Sequence, residues 1–199
     1  DGFVRIIAVT DGLDKVDSED LAITSKKDEH LAMLRYDNKK SGFSFLVDSD
    51  ASLFESDITP TLSRDVQLLS FSAQQQSGGK ALMATSLEDT AVTFKYLEND
   101  SGLVVGGYTE GVFEGLVKQG DSGTDAFISI VNAKDGGSPQ LNKTVQFGTA
   151  GEDKVIDIEE VGEHKLMVLW SENHTSPESA IRYRISVFSP EGDLLSPDL

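Results

Sequence analysis

The chain has 199 residues, 38% of them hydrophobic, and its 34 acidic against 17 basic side chains give a formal net charge of −17. That length holds one domain with a proper core, or several small β units sharing one, and the charge leaves no basic patch to neutralise phosphates, so neither nucleic acid nor an anionic membrane is an expected partner. No cysteine is present, which removes disulfides, thiol catalysis and cysteine-based zinc sites, and no apolar run approaches the roughly 18 residues that a membrane-spanning helix needs.

Alternating apolar and polar positions rich in β-branched and aromatic residues predict strands almost throughout. In chain order they are Phe3–Val9, Leu31–Tyr36, Phe43–Val47, Val66–Phe71, Lys80–Ala84, Ala91–Tyr96, Leu103–Tyr108, Ala126–Val131, Thr144–Phe147, Lys154–Glu159, Lys165–Trp170 and Arg182–Phe188. Turns are expected at Asp11-Gly12, Asn38–Gly42, Ser77-Gly78-Gly79, Asn99–Gly102, Asp135-Gly136-Gly137, Val161-Gly162 and Pro190-Glu191-Gly192, where Gly or Asn supplies the positive φ that short hairpins demand. Ser18–Ser25 and Ser86–Thr90 have room for a helical turn, with strand connection the expected fate. Longer loops, Ser49–Arg64, Thr109–Thr124 and Ser171–Ser179, recur after corresponding strands; in a repeat protein such loops emerge on one face, often the binding face.

A faint repeat with a period of roughly 60 residues runs through the chain. Leu31–Glu55, Ala91–Gly115 and Lys154–Glu178 each hold an apolar run, a polar turn, a second apolar run and a polar loop. Asp1–Gly12 and Asp125–Gly136 align through their opening Asp, a Phe two residues on, branched residues and a closing Asp-Gly; Asp65–Gln75 and Ile181–Gly192 are weaker copies. Alternation of these segments predicts an all-β fold of repeated four-stranded antiparallel units, a β-propeller or propeller-like array of about three and a half blades. Residues 1–199 form one β-repeat domain, with a half unit at 1–24 and units at 25–87, 88–148 and 149–199. The chain opens on Asp inside a repeat, so a processed product or an excerpt of a larger protein is expected.

Val104–Thr109 (VVGGYT), Asp125–Val131 (DAFISIV) and Val145–Ile158 (VQFGTAGEDKVIDI) carry a resemblance to a known family. They resemble the SBBP-type repeat, a β-propeller repeat of extracellular and cell-surface proteins. Asp125-Ala126-Phe127 and Gln146–Asp153 match closely, and Ser189–Asp193 looks like that repeat's Pro-Asp-Gly-Asn hairpin. The match covers about a third of the chain, residues 101–160; elsewhere the copies drift, with Val47-Asp48-Ser49 in place of Gly-Tyr-Thr and Gln67 in place of Phe. The resemblance implies that Phe127 and Phe147 pack between blades, that Gly148 and Gly151 turn the chain between units, and that Asp153 bonds turn amides. It also implies an extracellular or cell-surface location.

Sites for chemistry are sparse. Gly120-Asp121-Ser122-Gly123 looks like a serine-protease nucleophile segment, but Thr124 follows where a second Gly belongs, and the upstream His30 sits in an acidic stretch unsuited to a catalytic base. His30, His164 and His174 share no metal-ligand spacing. The acidic segment around Asp48 and Asp50, with Ser49, Ser52 and Glu55, is the candidate calcium site, although it lacks the EF-hand Gly and Glu; Asp14–Asp20 is a second acidic run. Three of the five asparagines, Asn99, Asn142 and Asn173, stand in N-x-S/T sequons, glycan acceptors if the protein is a eukaryotic secreted one. Trp170, Tyr108, Tyr96 and Tyr183 could stack sugars, but their strand spacing predicts packing instead. The expected function is a non-catalytic extracellular structural, adhesive or protein-interaction module, an assembly subunit being one form of it, with no cofactor besides calcium. Its partners are another protein, or a further copy through exposed strand edges. The competing reading is a carbohydrate-binding or carbohydrate-active propeller with its site on the loops of one face.

Overall fold

The computed structural model describes residues 2–9, 16–23, 29–37, 42–49, 64–72, 75–98, 102–120, 123–132, 139–173 and 180–196. Strands β1 (Gly2–Val9) and β2 (Val16–Ile23) make a two-stranded antiparallel hairpin. The first four-stranded sheet contains β3 (Glu29–Asp37), β4 (Gly42–Ser49), β5 (Asp65–Ser72) and β6 (Gln75–Met83). The second holds β7 (Asp89–Tyr96), β8 (Gly102–Thr109), β9 (Asp125–Asn132) and β10 (Gln140–Phe147). The third holds β11 (Glu152–Val161), β12 (Lys165–Asn173), β13 (Arg182–Phe188) and β14 (Leu194–Ser196). In every sheet sequence neighbours pair antiparallel, so each is a simple meander. The all-β, antiparallel architecture is as expected, and no closed barrel or ring of sheets is seen among the described residues. Among them no helix is long and apolar enough to cross a membrane.

Successive sheets pack face to face. The first strands of the second and third sheets lie on the sheet before: β7 on β3, β4 and β5, and β11 on β7, β8 and β9. One core, between the first and second sheets, gathers Leu46, Val66, Leu68 and Met83 against Phe94, Leu103, Val105, Phe127 and Val131. The other, between the second and third, joins Val104, Ala126, Ile128 and Ile130 to Val155, Ile158, Leu166, Val168 and Phe188. The second sheet is therefore covered on both faces, and β8 is buried at every position but half-buried Tyr108. A strand buried on both faces loses the clean alternation of a one-faced strand; β12, by contrast, alternates between buried and half-buried positions along its length.

Gly106 marks a close approach of two sheets. A Cβ there would sit 2.7 Å from side-chain carbons of both Val155 and Ile158, so only glycine lets β11 lie this close on β8. Phe147 packs against the second core, edge-on to Trp170 with ring centroids 5.5 Å apart, and tilted against Phe188. Phe127 is fully buried in the first core, against Phe113. Both phenylalanines thus pack between sheets.

Three local expectations are corrected. Ser77-Gly78-Gly79 lies inside β6 rather than in a turn; β6 is the last strand of its sheet, and a strand bonded on one side tolerates glycine. Ser18–Ile23 belongs to β2, whose Asp17, Glu19 and Asp20 hide its strand character while the full register with β1 supplies it. At the β11–β12 hairpin the positive φ falls on Glu163 (62°) and His164 (59°), not on Gly162. The last hairpin follows expectation: Gly192 has φ 83° and donates its N–H to the Ser189 carbonyl, while the Ser189 hydroxyl accepts from the amides of Glu191 and Asp193.

Candidate functional site

The chemistry-bearing side chains collect at one end of the sheets, where the first and third strands begin and the second strands end. Register sets this row. Ser49 pairs with Asp65, Thr109 lies between Asp89 and Asp125, and Glu172 lies between Asp153 and Arg182. Asp48, Asp65, Asp89, Asp125, Asp153 and Glu172 are all buried. Buried carboxylates need hydrogen bonds or opposite charges, since desolvation is costly.

Two of them are held by the same local device. Asp89 accepts the Thr85 amide at 2.6 Å and the Thr85 hydroxyl at 3.1 Å. Asp153 accepts the Thr149 amide at 2.6 Å and the Thr149 hydroxyl at 3.2 Å. Each Thr hydroxyl in turn accepts the amide two residues on, from Leu87 or Gly151. This is the capping geometry by which a short polar side chain satisfies turn amides. The backbone repeats it as well: the Asp89 amide donates to the Arg64 carbonyl and the Asp153 amide to the Thr124 carbonyl, both at 2.8 Å. Each Thr-x-x-Glu-Asp segment is therefore a staple that ties the start of one sheet to the third strand of the sheet before it.

The other carboxylates are also engaged. Asp48 accepts the Ala91 amide at 2.8 Å, across the junction of the first and second sheets. One oxygen of Asp125 accepts from the Gln119 amide at 2.9 Å and from the Gln146 side chain at 2.7 Å. Gln146 also binds the Phe113 amide and the Gly111 carbonyl, anchoring the β8–β9 loop. Glu172 pairs with Arg184, whose guanidinium lies over the Trp170 ring.

Burial pushes the Asp89 carboxyl up to about 7, assisted by the nearby Asp65 charge and opposed by its threonine hydrogen bonds. Burial also raises Asp153 above the usual carboxylate range, with Glu172 and Asp125 adding like charge. Replacing Asp153 by Ala should cost about 2 kcal/mol of unfolding free energy, because the Thr149 amide loses its acceptor. Asp153→Asn keeps an acceptor and should cost less than half as much. Urea denaturation of the two variants checks this; equal losses would mean that charge, not the hydrogen bond, holds the turn.

Of the residues singled out from sequence, Asp153 bonds its turn as expected. Asp48 is fully buried on a backbone amide, and Asp50 lies outside the described residues. No group of three or more His, Asp or Glu side chains gathers into a metal-binding arrangement among the described residues. Asn142 is exposed on β10, in the irregular step between Leu141 and Lys143, Asn173 is half-buried at the end of β12, and Asn99 is outside the described residues. Of the Gly-Asp-Ser-Gly segment only Gly120 and Gly123 are described, and His174 lies outside them, as does the side chain of His30. His164 sits in its hairpin with Nδ1 at 2.6 Å from Glu160.

The aromatics do not form one platform. Trp170 is buried and donates to the Ser186 hydroxyl, Tyr96 donates to the Ser44 hydroxyl across sheets, Tyr108 lies under the Lys154 ammonium, and Tyr183 is 67% exposed. Asp89 and Asp125 were not singled out as site residues. The matching spacing of Thr85-Ser86-Leu87-Glu88-Asp89 and Thr149-Ala150-Gly151-Glu152-Asp153 is the signal that identifies the first. Comparison with protein-family models gives no match, and comparison with curated proteins gives none either.

Proposed function

We propose that this chain is a non-catalytic β-repeat module, a run of units in a propeller-like array, acting through structural or protein–protein contact. One observation carries the reading: the buried carboxylates at the sheet ends hold backbone amides and side chains of the fold itself, so the groups best suited to acid–base chemistry are structural. The repeated meanders, with β7 and β11 each laid on the preceding sheet, support the propeller-like arrangement. The resemblance of residues 101–160 to the SBBP-type repeat supports an extracellular or cell-surface setting. A surface with net charge −17 suits a module that stays soluble until a specific partner is met.

The test is a panel of chromogenic glycosides, peptides and phosphate esters, with thermal-shift measurements against oligosaccharides. No turnover above the blank and no shift is the expected result. Saturable turnover that copurifies with the chain, or a dose-dependent shift with one sugar, would overturn the reading in favour of an enzyme or a carbohydrate-binding domain.

A further inference from the structure

The third sheet presents an apolar face that the second sheet, at the same positions, keeps covered. Thr109 and Glu172 hold corresponding register positions, each opposite a first-strand aspartate. Counting back from them, Val104 and Gly106 of β8 correspond to Met167 and Leu169 of β12. Counting along the third strands, Ile128 and Ile130 of β9 correspond to Ile185 and Val187 of β13. On the second sheet these positions lie under Val155 and Ile158 of β11. On the third sheet Met167, Leu169, Ile185 and Val187 are only half-buried and belong to neither core, whereas Leu166, Val168, Trp170 and Phe188, on the other face of the same strands, pack on the second sheet. A contiguous apolar sheet face of this kind marks an interaction surface.

The chain also carries a strand of the kind this face fits. All three full sheets have the same irregularity in their first strand, between Leu31 and Met33, between Ala91 and Thr93, and between Val155 and Asp157. In that common register Leu31 and Leu34 of β3 stand where β7 has Ala91 and Phe94 and where β11 has Val155 and Ile158. One position further on are Arg35, Lys95 and Glu159. Within the chain Lys95 and Glu159, from successive first strands, form an ion pair. A strand added beyond β11 that carried Arg35 at this position would again set opposite charges beside each other.

We propose that a second copy of this chain docks β3 on the face formed by Met167, Leu169, Ile185 and Val187, in a head-to-tail contact. Such a contact uses two different surfaces of each chain, so it builds a closed ring or an open filament according to the rotation between copies. The inference rests on the reading of the chain as a protein-interaction module, and it names a further copy as the partner and a sheet face, not a strand edge, as the surface.

Sedimentation velocity on the whole chain over a concentration range tests it. The weight-average mass should rise above 21.5 kDa with concentration. Leu169→Arg should weaken association at least about tenfold, as expected for a charge placed at the centre of an apolar contact, with far-UV circular dichroism unchanged. Because that variant could fail to fold, the exposed position is tested too: Glu159→Arg should weaken association, and Glu159→Arg with Arg35→Glu should restore it. A chain that stays at 21.5 kDa at every concentration, or one whose association is indifferent to both Leu169→Arg and Glu159→Arg, overturns the docking. Either outcome leaves the non-catalytic reading intact, since turnover on the substrate panel decides that independently.

Discussion

Lowering the pH from about 8 to about 5 should stabilise this protein through Asp89 by about 3 kcal/mol. The carboxyl titrates near 7 in the folded protein against an ordinary value of 3.8. Between those values the folded chain holds a proton that the unfolded chain has released. Unfolding free energy therefore falls as the pH rises through this window and is flat above it. The cause is desolvation at a site with no exposure to water, reinforced by Asp65. Asp153 is raised for the same reason and adds in the same direction. Asp89→Asn isolates the effect, because an amide accepts from the Thr85 backbone but cannot titrate. Its thermal midpoint should vary less with pH than that of the parent, by roughly 2–4 °C for each kcal/mol removed. Parallel pH profiles for parent and variant would show that the dependence arises elsewhere.

Truncating Phe127 to Ala should cost about 3–5 kcal/mol, the usual range for a buried phenylalanine. The ring is completely buried in the core between the first two sheets, and its contact with Phe113, at 5.0 Å and 67° between planes, falls in the favourable edge-on range. Its strand β9 belongs to the sheet covered on both faces. In a linear stack each unit is stabilised mainly by its neighbours, so a lesion in the middle sheet loosens both flanking ones. Guanidinium unfolding followed by Trp170 fluorescence reports on the third sheet. Its midpoint should fall along with that from circular dichroism, although Phe127 lies in the other core. If the Trp170 transition stayed at its original midpoint, the sheets would be unfolding independently and the stack would not be cooperative.

The strands were largely legible because their signals are local. Alternation in Lys165–Trp170 follows one buried face of β12, and the Pro190-Glu191-Gly192 turn rests on bonds within five residues. Two strands escaped. In β2, three acidic residues mask the alternation, and β14 spans only Leu194–Ser196. The glycine pair in β6 signalled a turn because turn propensity is read without knowing that the strand stands at a sheet edge.

The carboxylates divide in the same way. Asp153 was recognisable as a turn residue because Thr149, its partner, lies four residues away. Asp48 was grouped with its sequence neighbours as an oxygen donor, yet its partner is the amide of Ala91, 43 residues on and in the next sheet. Gln146, which fastens the β8–β9 loop through Asp125 and Phe113, carries no sequence signal for that role beyond its place in a matched repeat segment.

By itself the sequence determined that this protein is built of β-strands, where most of its hairpins turn and that its charge is strongly acidic, since each of these depends on side chains near in sequence or on composition alone. Only the tertiary structure decided which faces are covered once and which twice, why Gly106 must lack a side chain, and that Asp89 is buried enough to hold a proton near neutrality. Those properties come from contacts between sheets whose residues are far apart along the chain, and burial, unlike alternation, is set by what arrives from elsewhere in the fold.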